Sequence, residues 1–351
     1  MAVREQLIKP PKLTPGGTVA AVSLSWGGPG VFPHRYEIGK RQFEREFGMK
    51  VVESRHALRD PHWLAANPQA RADDLMEAFS DDSINGIIST IGGDDSVRLL
   101  PLLDLEVIRK HPKVFMGYSD SNVTNFVCLK AGIVSFSGPA FMAGFGENCG
   151  IFPYTVESVR RTLFTAAPVG IIEPGDAWTV EHLDWADPAN QSRRRQMSPS
   201  KGWRWLQSTG KATGHLIGGC ADVLEFLKGT PCWPGIGGWK GAILFLETSE
   251  EVPPPWMFKR WLRNFGSQGI LQQLAGMIFG RPGGQIPESA FDAYDNVILE
   301  IIAGELGLAS MPIITRMDFG HTDPMFVLPL GVPATIDCDS RTFAINESAV
   351  K

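Results

Sequence analysis

Over the first 136 residues, short β-branched and apolar runs alternate with segments of helical period. Few folds accommodate that alternation, because parallel strands need a long crossover and a helix is the compact way to make one. TVAAVSL at 18–24 reads as the first strand and runs into Ser25-Trp26-Gly27-Gly28-Pro29-Gly30. Glu37 to Phe47 reads as helix and Met49 to Val52 as a second strand. Ala70 to Phe79, opened by Asn67-Pro68, is helical. Ile84 to Ile91 is a third strand, followed by Gly92-Gly93-Asp94-Asp95-Ser96 and a helical Val97 to Leu103. Val114-Phe115-Met116 and Ile133 to Phe136 supply the fourth and fifth strands. The pattern predicts an α/β fold with a doubly wound parallel sheet, whose sites lie in crevices at the carboxyl ends of strands.

The pattern changes after Ala166, and 351 residues suffice for two cores. Residues 167–200 carry Pro168, Pro174, Pro188 and Pro199 among many polar residues, which reads as linker plus mobile loop. The predicted division is 1–166 for the first domain, 167–205 for linker and loop, and 206–351 for a second α/β or β-rich domain. In that last part Gly241 to Glu247 is a buried strand ending in an acid, and Leu274 to Phe279 is another. Ala221 to Leu227, Met257 to Phe265 and Ala290 to Leu306 read as helices, and 328–337 as hairpin-like strands.

Lys113 to Leu129 concentrates the chemistry. The strand Val114–Met116 meets the turn Gly117-Tyr118-Ser119-Asp120, after which Val123, Phe126, Val127 and Leu129 recur at helical spacing. A serine at such a strand-to-helix turn is either a helix cap or a nucleophile lifted to the sheet's carboxyl edge. Among the seven histidines, His321 follows Gly320 in a polar turn between apolar runs, the setting of a general base. His34, His56, His62, His111 and His182 read as surface residues, and His215 as a satisfied core histidine. Five apolar residues deliver Glu247 to a strand end, where burial beside a partner is expected. Ser119, Glu247 and His321 thus form a candidate nucleophile, orienting acid and base. The G-x-S-x-G elbow of α/β hydrolases is not matched by Gly-Tyr-Ser-Asp-Ser.

Composition excludes other classes. A net charge of −5 argues against a nucleic-acid surface, and Arg193-Arg194-Arg195 reads as a solvated loop rather than a phosphate clamp. No apolar run is long enough to span a bilayer, and the first residues lack a secretory pattern, so a cytoplasmic protein is expected. Five scattered cysteines without a CxxC pair fit neither a disulfide framework nor a zinc ribbon. HExxH and Walker A motifs are absent, Asp94-Asp95 alone is a poor cation site, and neither metal nor cofactor is expected.

The strings IGGDDS (91–96), GYSDSN (117–122), GGC (218–220), LFLETSEE (244–251) and DFGHTDPMFVLPLG (318–331) together resemble the LD-carboxypeptidase family of serine peptidases. The resemblance runs from Lys9 to Asp337. It implies a flavodoxin-like N-terminal domain, a C-terminal domain of swivelling-β type, a homodimer, and no metal or cofactor. It further implies Ser119 as nucleophile, Glu247 as triad acid and His321 as base. The backbone N–H groups of Gly92 and Asp120 would form the oxyanion hole, with Gly93 beside them at the substrate. Thr248, the string GKATGHLIGGC and the tryptophans Trp178, Trp185, Trp203 and Trp205 favour the microcin-immunity branch. That branch cleaves the amide joining an aspartyl or glutamyl residue to a non-hydrolysable adenylate, and Trp185 is the candidate to stack on the base. Ser121-Asn122 departs from many relatives beside the nucleophile. The alternatives are murein tetrapeptide cleavage and, from another class, a non-catalytic module binding an anionic ligand.

Overall fold

The computed structural model describes residues 7–207 and 209–351. Its first strands are β1 (Thr18–Val22), β2 (Lys50–Glu53), β3 (Gly86–Ser89), β4 (Val114–Met116) and β5 (Ser135–Ser137). They pair in parallel in the order β5-β4-β3-β1-β2. From β1 the chain goes to β2 on one flank and then to β3 on the other. Strand order therefore reverses at β1 and opens a crevice at the carboxyl ends of β1 and β3.

The remaining strands are β6 (Gly170–Ile172), β7 (Ala177–Trp178), β8 (Ser198–Pro199), β9 (Arg204–Gln207), β10 (Lys211–Cys220), β11 (Ile243–Glu247), β12 (Gly276–Gly280), β13 (Ile313–Met317), β14 (Leu328–Leu330), β15 (Pro333–Asp337) and β16 (Thr342–Ile345). An eight-stranded sheet runs β6-β16-β15-β10-β11-β12-β13-β9. Its middle, β10 to β13, is parallel and its flanks are antiparallel. β14 instead crosses back to pair antiparallel with β5 and completes the first sheet as its sixth strand. The protein is thus an α/β chain with a largely parallel first sheet and a mixed second one.

The helices follow from local signals. In Pro33–Phe47 the proline opens the first turn, and Gly48 at φ 65° closes the last in the left-handed conformation. Its buried Tyr36, Phe43 and Phe47 share one face, and Phe43 packs on Phe47 and Phe145 at 4.9 Å between ring centroids. Burying such a ring contributes about 2–3 kcal/mol, so Phe43→Ala would be among the most damaging single changes to this helix. The segment expected as a helix from Val97 to Leu103 is a 3-10 run, Ser96–Leu102. Pro101 inside it has no N–H to give, and the Ser96 N–H is spent on Asp120 Oδ2 at 2.9 Å. The helix expected to reach Leu306 is α-helical only over Phe291–Leu299 and continues as a π turn over Glu300–Glu305.

The stretch read as linker and mobile loop is tied down at several points. β6 and β9 form the two edges of the second sheet. Asp318 accepts hydrogen bonds from Gly175 N (3.1 Å) and Trp203 Nε1 (2.6 Å), and Thr179 and Asp323 exchange backbone hydrogen bonds. Proline and polar content predicted looseness, but the partners lie more than a hundred residues away and no local pattern announces them. The two halves also interlock, since Lys351 N donates to Pro10 O and Lys12 N to Lys351 O, both at 2.9 Å.

Candidate active site

Ser119 directly follows the turn after β4 with φ 58°, in the left-handed region. That conformation costs a non-glycine residue about 1–2 kcal/mol, and surrounding contacts hold it there. Asn125 Nδ2 donates to Gly117 O (3.0 Å), and Ser121 Oγ to Ser89 Oγ (2.8 Å). Asn122 Oδ1 accepts the Cys220 N–H at the end of β10 (2.8 Å). Ser119 Oγ caps neither the turn Ser119–Ser121 nor the helix Asn122–Ala131. The cap alternative is therefore removed.

The loop after β3 lies against this turn. A Cβ on Gly92 would sit 2.9 Å from Ser119 Oγ, so only glycine lets that backbone come so close. Anchors fix the approach. Ser96 Oγ donates to Asp120 O (2.9 Å), and Ser25 Oγ accepts from Asp94 N (3.0 Å) and Asp95 N (3.1 Å). Asp95 is held by the fully buried Arg71 through Nη1–Oδ1 (2.6 Å) and Nη2–Oδ2 (3.1 Å). Burial pushes the Asp120 carboxyl up despite its hydrogen bonds. Asp120 N is the second amide of a short helical turn and has no intrahelical acceptor.

Across the cleft, Glu247 ends β11 and accepts from His321 Nδ1 at 2.6 Å, with both side chains nearly sealed from solvent. Gly320 permits this: at φ 93° it would place a Cβ 2.6 Å from Glu247 Cβ. His321 Nε2 faces a second carboxylate, Glu250 Oε2 at 2.9 Å, whose side chain is 71% exposed. Burial alone would lower the His321 pKa, but the attraction of Glu247 and the hydrogen bonds to Glu247 and Glu250 raise it well above the ordinary value. In turn the bond from His321 holds the Glu250 carboxyl down at about 2. Ser119 Oγ has no hydrogen-bond partner among the described residues.

These groups border one cavity of about 790 Å³ between the carboxyl ends of the two sheets, which Gly92, Gly93, Tyr118, Ser119, Trp185 and His321 help to line. The Arg35 guanidinium lies 4.8 Å from the Trp185 ring centroid, and Phe32 meets that ring edge-on at 6.0 Å. Arg195 pairs with Glu147 and with Asp323 Oδ2 (2.6 Å), and Glu181, Asp184, Glu250 and Asp323 give the walls an acidic surplus. Ligand atoms of Cys220, Glu247 and His321 lie within 4.8 Å of one another. Burial first, and then Glu247, keep the Cys220 thiol protonated, which makes this a poor metal set.

The model of the LD-carboxypeptidase N-terminal domain matches residues 19–138, and that of the LD-carboxypeptidase C-terminal domain matches residues 213–336. The chain belongs to the LD-carboxypeptidase family. It is a serine-type hydrolase of that family, 28% identical over 347 residues to the microcin C7 self-immunity protein MccF of Escherichia coli, covering 95% of this chain and 94% of the relative. An MccF-like protein from Streptococcus pneumoniae, solved in complex with AMP, superimposes with TM-score 0.85 at 30% identity over 95% of this chain and 99% of its own. MccF in complex with aspartyl sulfamoyl adenosine gives TM-score 0.85 at 25% identity, over 98% and 100%.

Within this LD-carboxypeptidase chain, Ser119, Gly92, Gly93, His321 and Trp185 meet at one cavity, with Glu247 behind His321 and Asp120 behind the serine. His182, read as a surface residue, is exposed and lines the cavity beside Trp185. Arg195 is no solvated loop residue, because two carboxylates from distant segments neutralise it. The Ser121 and Asn122 side chains both turn into hydrogen bonds behind the Ser119 turn. Glu250 was missed altogether. Its only trace is a second acid three residues beyond Glu247.

Proposed function

We propose that this enzyme hydrolyses the amide bond between an acidic aminoacyl group and a nucleotide-like leaving group. Ser119 Oγ attacks the carbonyl carbon while His321 Nε2 takes its proton. Glu247 holds the imidazole tautomer and stabilises the imidazolium. The amides of Gly92 and Asp120 receive the developing oxyanion, a contact worth roughly 3–4 kcal/mol per donor. His321 then protonates the leaving nitrogen, and water releases the acyl group from Ser119.

The observation that carries this reading is the strained Ser119 turn, pressed against Gly92 at a cavity that His321 also lines. A binding module has no use for such a turn. Trp185, backed by Arg35, supports a nucleobase at the other end of the cavity, and relatives solved with AMP and with aspartyl sulfamoyl adenosine support the nucleotide class.

The test offers aspartyl sulfamoyl adenosine and a murein tetrapeptide ending in D-Ala, with Ser119→Ala as blank. Cleavage of the nucleoside amide is expected. Cleavage of the tetrapeptide alone transfers the enzyme to cell-wall peptides.

A further inference from the structure

We propose that Glu250 receives the free ammonium group of the substrate's acyl moiety, and that this pairing frees His321 to act as base. The inference rests on the hydrolase reading above and deepens it. His321 Nε2 is the atom that must take the Ser119 proton, and it is held by Glu250 Oε2 at 2.9 Å. An imidazole gripped by carboxylates on both nitrogens is doubly protonated and cannot accept a third proton. Attack therefore requires Glu250 to let go.

What displaces it follows from the cavity. Tyr118, His182 and Arg195 share the walls with Glu250, as do Glu181 and Asp323. Arg195 is already neutralised by Glu147 and Asp323, so among the described residues the cavity wall offers no free guanidinium to draw Glu250 away. The incoming cation must come from the substrate. The α-nitrogen of an aminoacyl group is two bonds from the reacting carbonyl carbon, so carbonyl placement against Ser119 brings an α-ammonium beside His321 Nε2 and hence beside Glu250. Glu250 can swing to it because its side chain is largely exposed on the turn after β11, where Val252 N donates to Ser249 O. When the carboxylate leaves, the Nε2–H proton passes to solvent. The emptied nitrogen then accepts the Ser119 proton as the O–C bond forms.

The experiment compares aspartyl and succinyl sulfamoyl adenosine, which differ only in the ammonium, on wild type and Glu250→Gln. Wild type should prefer the aspartyl compound at least about 10-fold in kcat/KM, in line with a charge-assisted hydrogen bond. Glu250→Gln should erase most of that preference, mainly by raising KM for the aspartyl compound, and should cleave the succinyl compound faster than wild type does. Its kcat/KM should also begin to rise at lower pH. An undiminished preference, or equal loss on both substrates, overturns the proposal. If wild type cleaves only a murein tetrapeptide, the nucleotide reading fails, and because the nitrogen α to that scissile carbonyl is already acylated the ammonium proposal is overturned with it. If it cleaves neither, labelling of Ser119 by an uncharged fluorophosphonate decides. Glu250→Gln must then label several-fold faster than wild type at neutral pH, and equal rates overturn the proposal.

Discussion

Asn122 Oδ1 accepts the Cys220 N–H at 2.8 Å, joining the helix behind Ser119 to the end of the strand beside Glu247. The bond is buried, and a Cβ on Gly219 would lie 2.7 Å from the Asn122 amide, so the register between the sheets at the cavity depends on this contact. Asn122→Ala leaves a buried amide donor without a partner and is expected to cost about 1–3 kcal/mol. Chemical denaturation measures that loss. A fall in kcat in the folded variant checks that the contact also positions Ser119.

The φ of 58° at Ser119 makes a separate prediction. Ser119→Gly removes both the hydroxyl and the strain, so turnover should vanish while stability rises by about 1 kcal/mol. Ser119→Ala should lose turnover without that gain. Thermal melts of the two variants, side by side, distinguish strain from any general effect of losing the hydroxyl.

Arg71 has no exposure and its pair with Asp95 holds the Gly92 loop. Burial raises the Asp95 pKa, but the hydrogen bond from Arg71 and its charge outweigh this and leave it lowered. That contribution to stability is present above the ordinary carboxyl value and drains away as pH falls through the lowered one. Arg71→Leu should cost about 1–3 kcal/mol, because Asp95 loses two charge-assisted hydrogen bonds but keeps Arg98 Nη1 at 3.0 Å. The accompanying drop should fall on kcat, because the displaced amide belongs to Gly92.

The raised pKa of His321 sets the pH profile. As base it must be neutral, so kcat/KM should keep rising at pH values well above the ordinary imidazole value of about 6.5. Linkage runs the other way for stability. The increment from His321 is complete below the unfolded pKa and is lost as pH rises through the folded one. Activity should therefore grow over the same interval in which the melting temperature declines, and parallel titrations test this.

Trp185→Ala should raise KM for a nucleotide substrate by about 10-fold or more, the range expected for one stacked base. Little change in kcat is expected, and Trp185→Phe should retain most of the affinity. A substrate lacking the base should not distinguish wild type from Trp185→Ala.

Where the sequence was legible, chemistry and chain order coincided. The alternation of runs gave the first sheet, Ser119 and Glu247 each follow an apolar strand, and His321 stands in the polar turn between two apolar runs. What stayed hidden depends on partners remote in sequence. Arg195 looks solvated until Glu147 and Asp323 arrive, and residues 167–205 look loose until Asp318 and the edges of the second sheet hold them. Glu250 escaped because a carboxylate in a polar turn carries no mark of the imidazole it will meet.

The return of β14 to the first sheet bears on how the chain emerges during synthesis. Ser119 and its turn are made early, yet β5 has an unpaired edge until Leu328–Leu330 have left the ribosome. His321 emerges only a few residues before that strand. The step that closes the sheet and the step that supplies His321 are nearly simultaneous. Under the proposed mechanism a nascent or prematurely terminated chain is hydrolytically silent, and competence arrives together with the finished architecture.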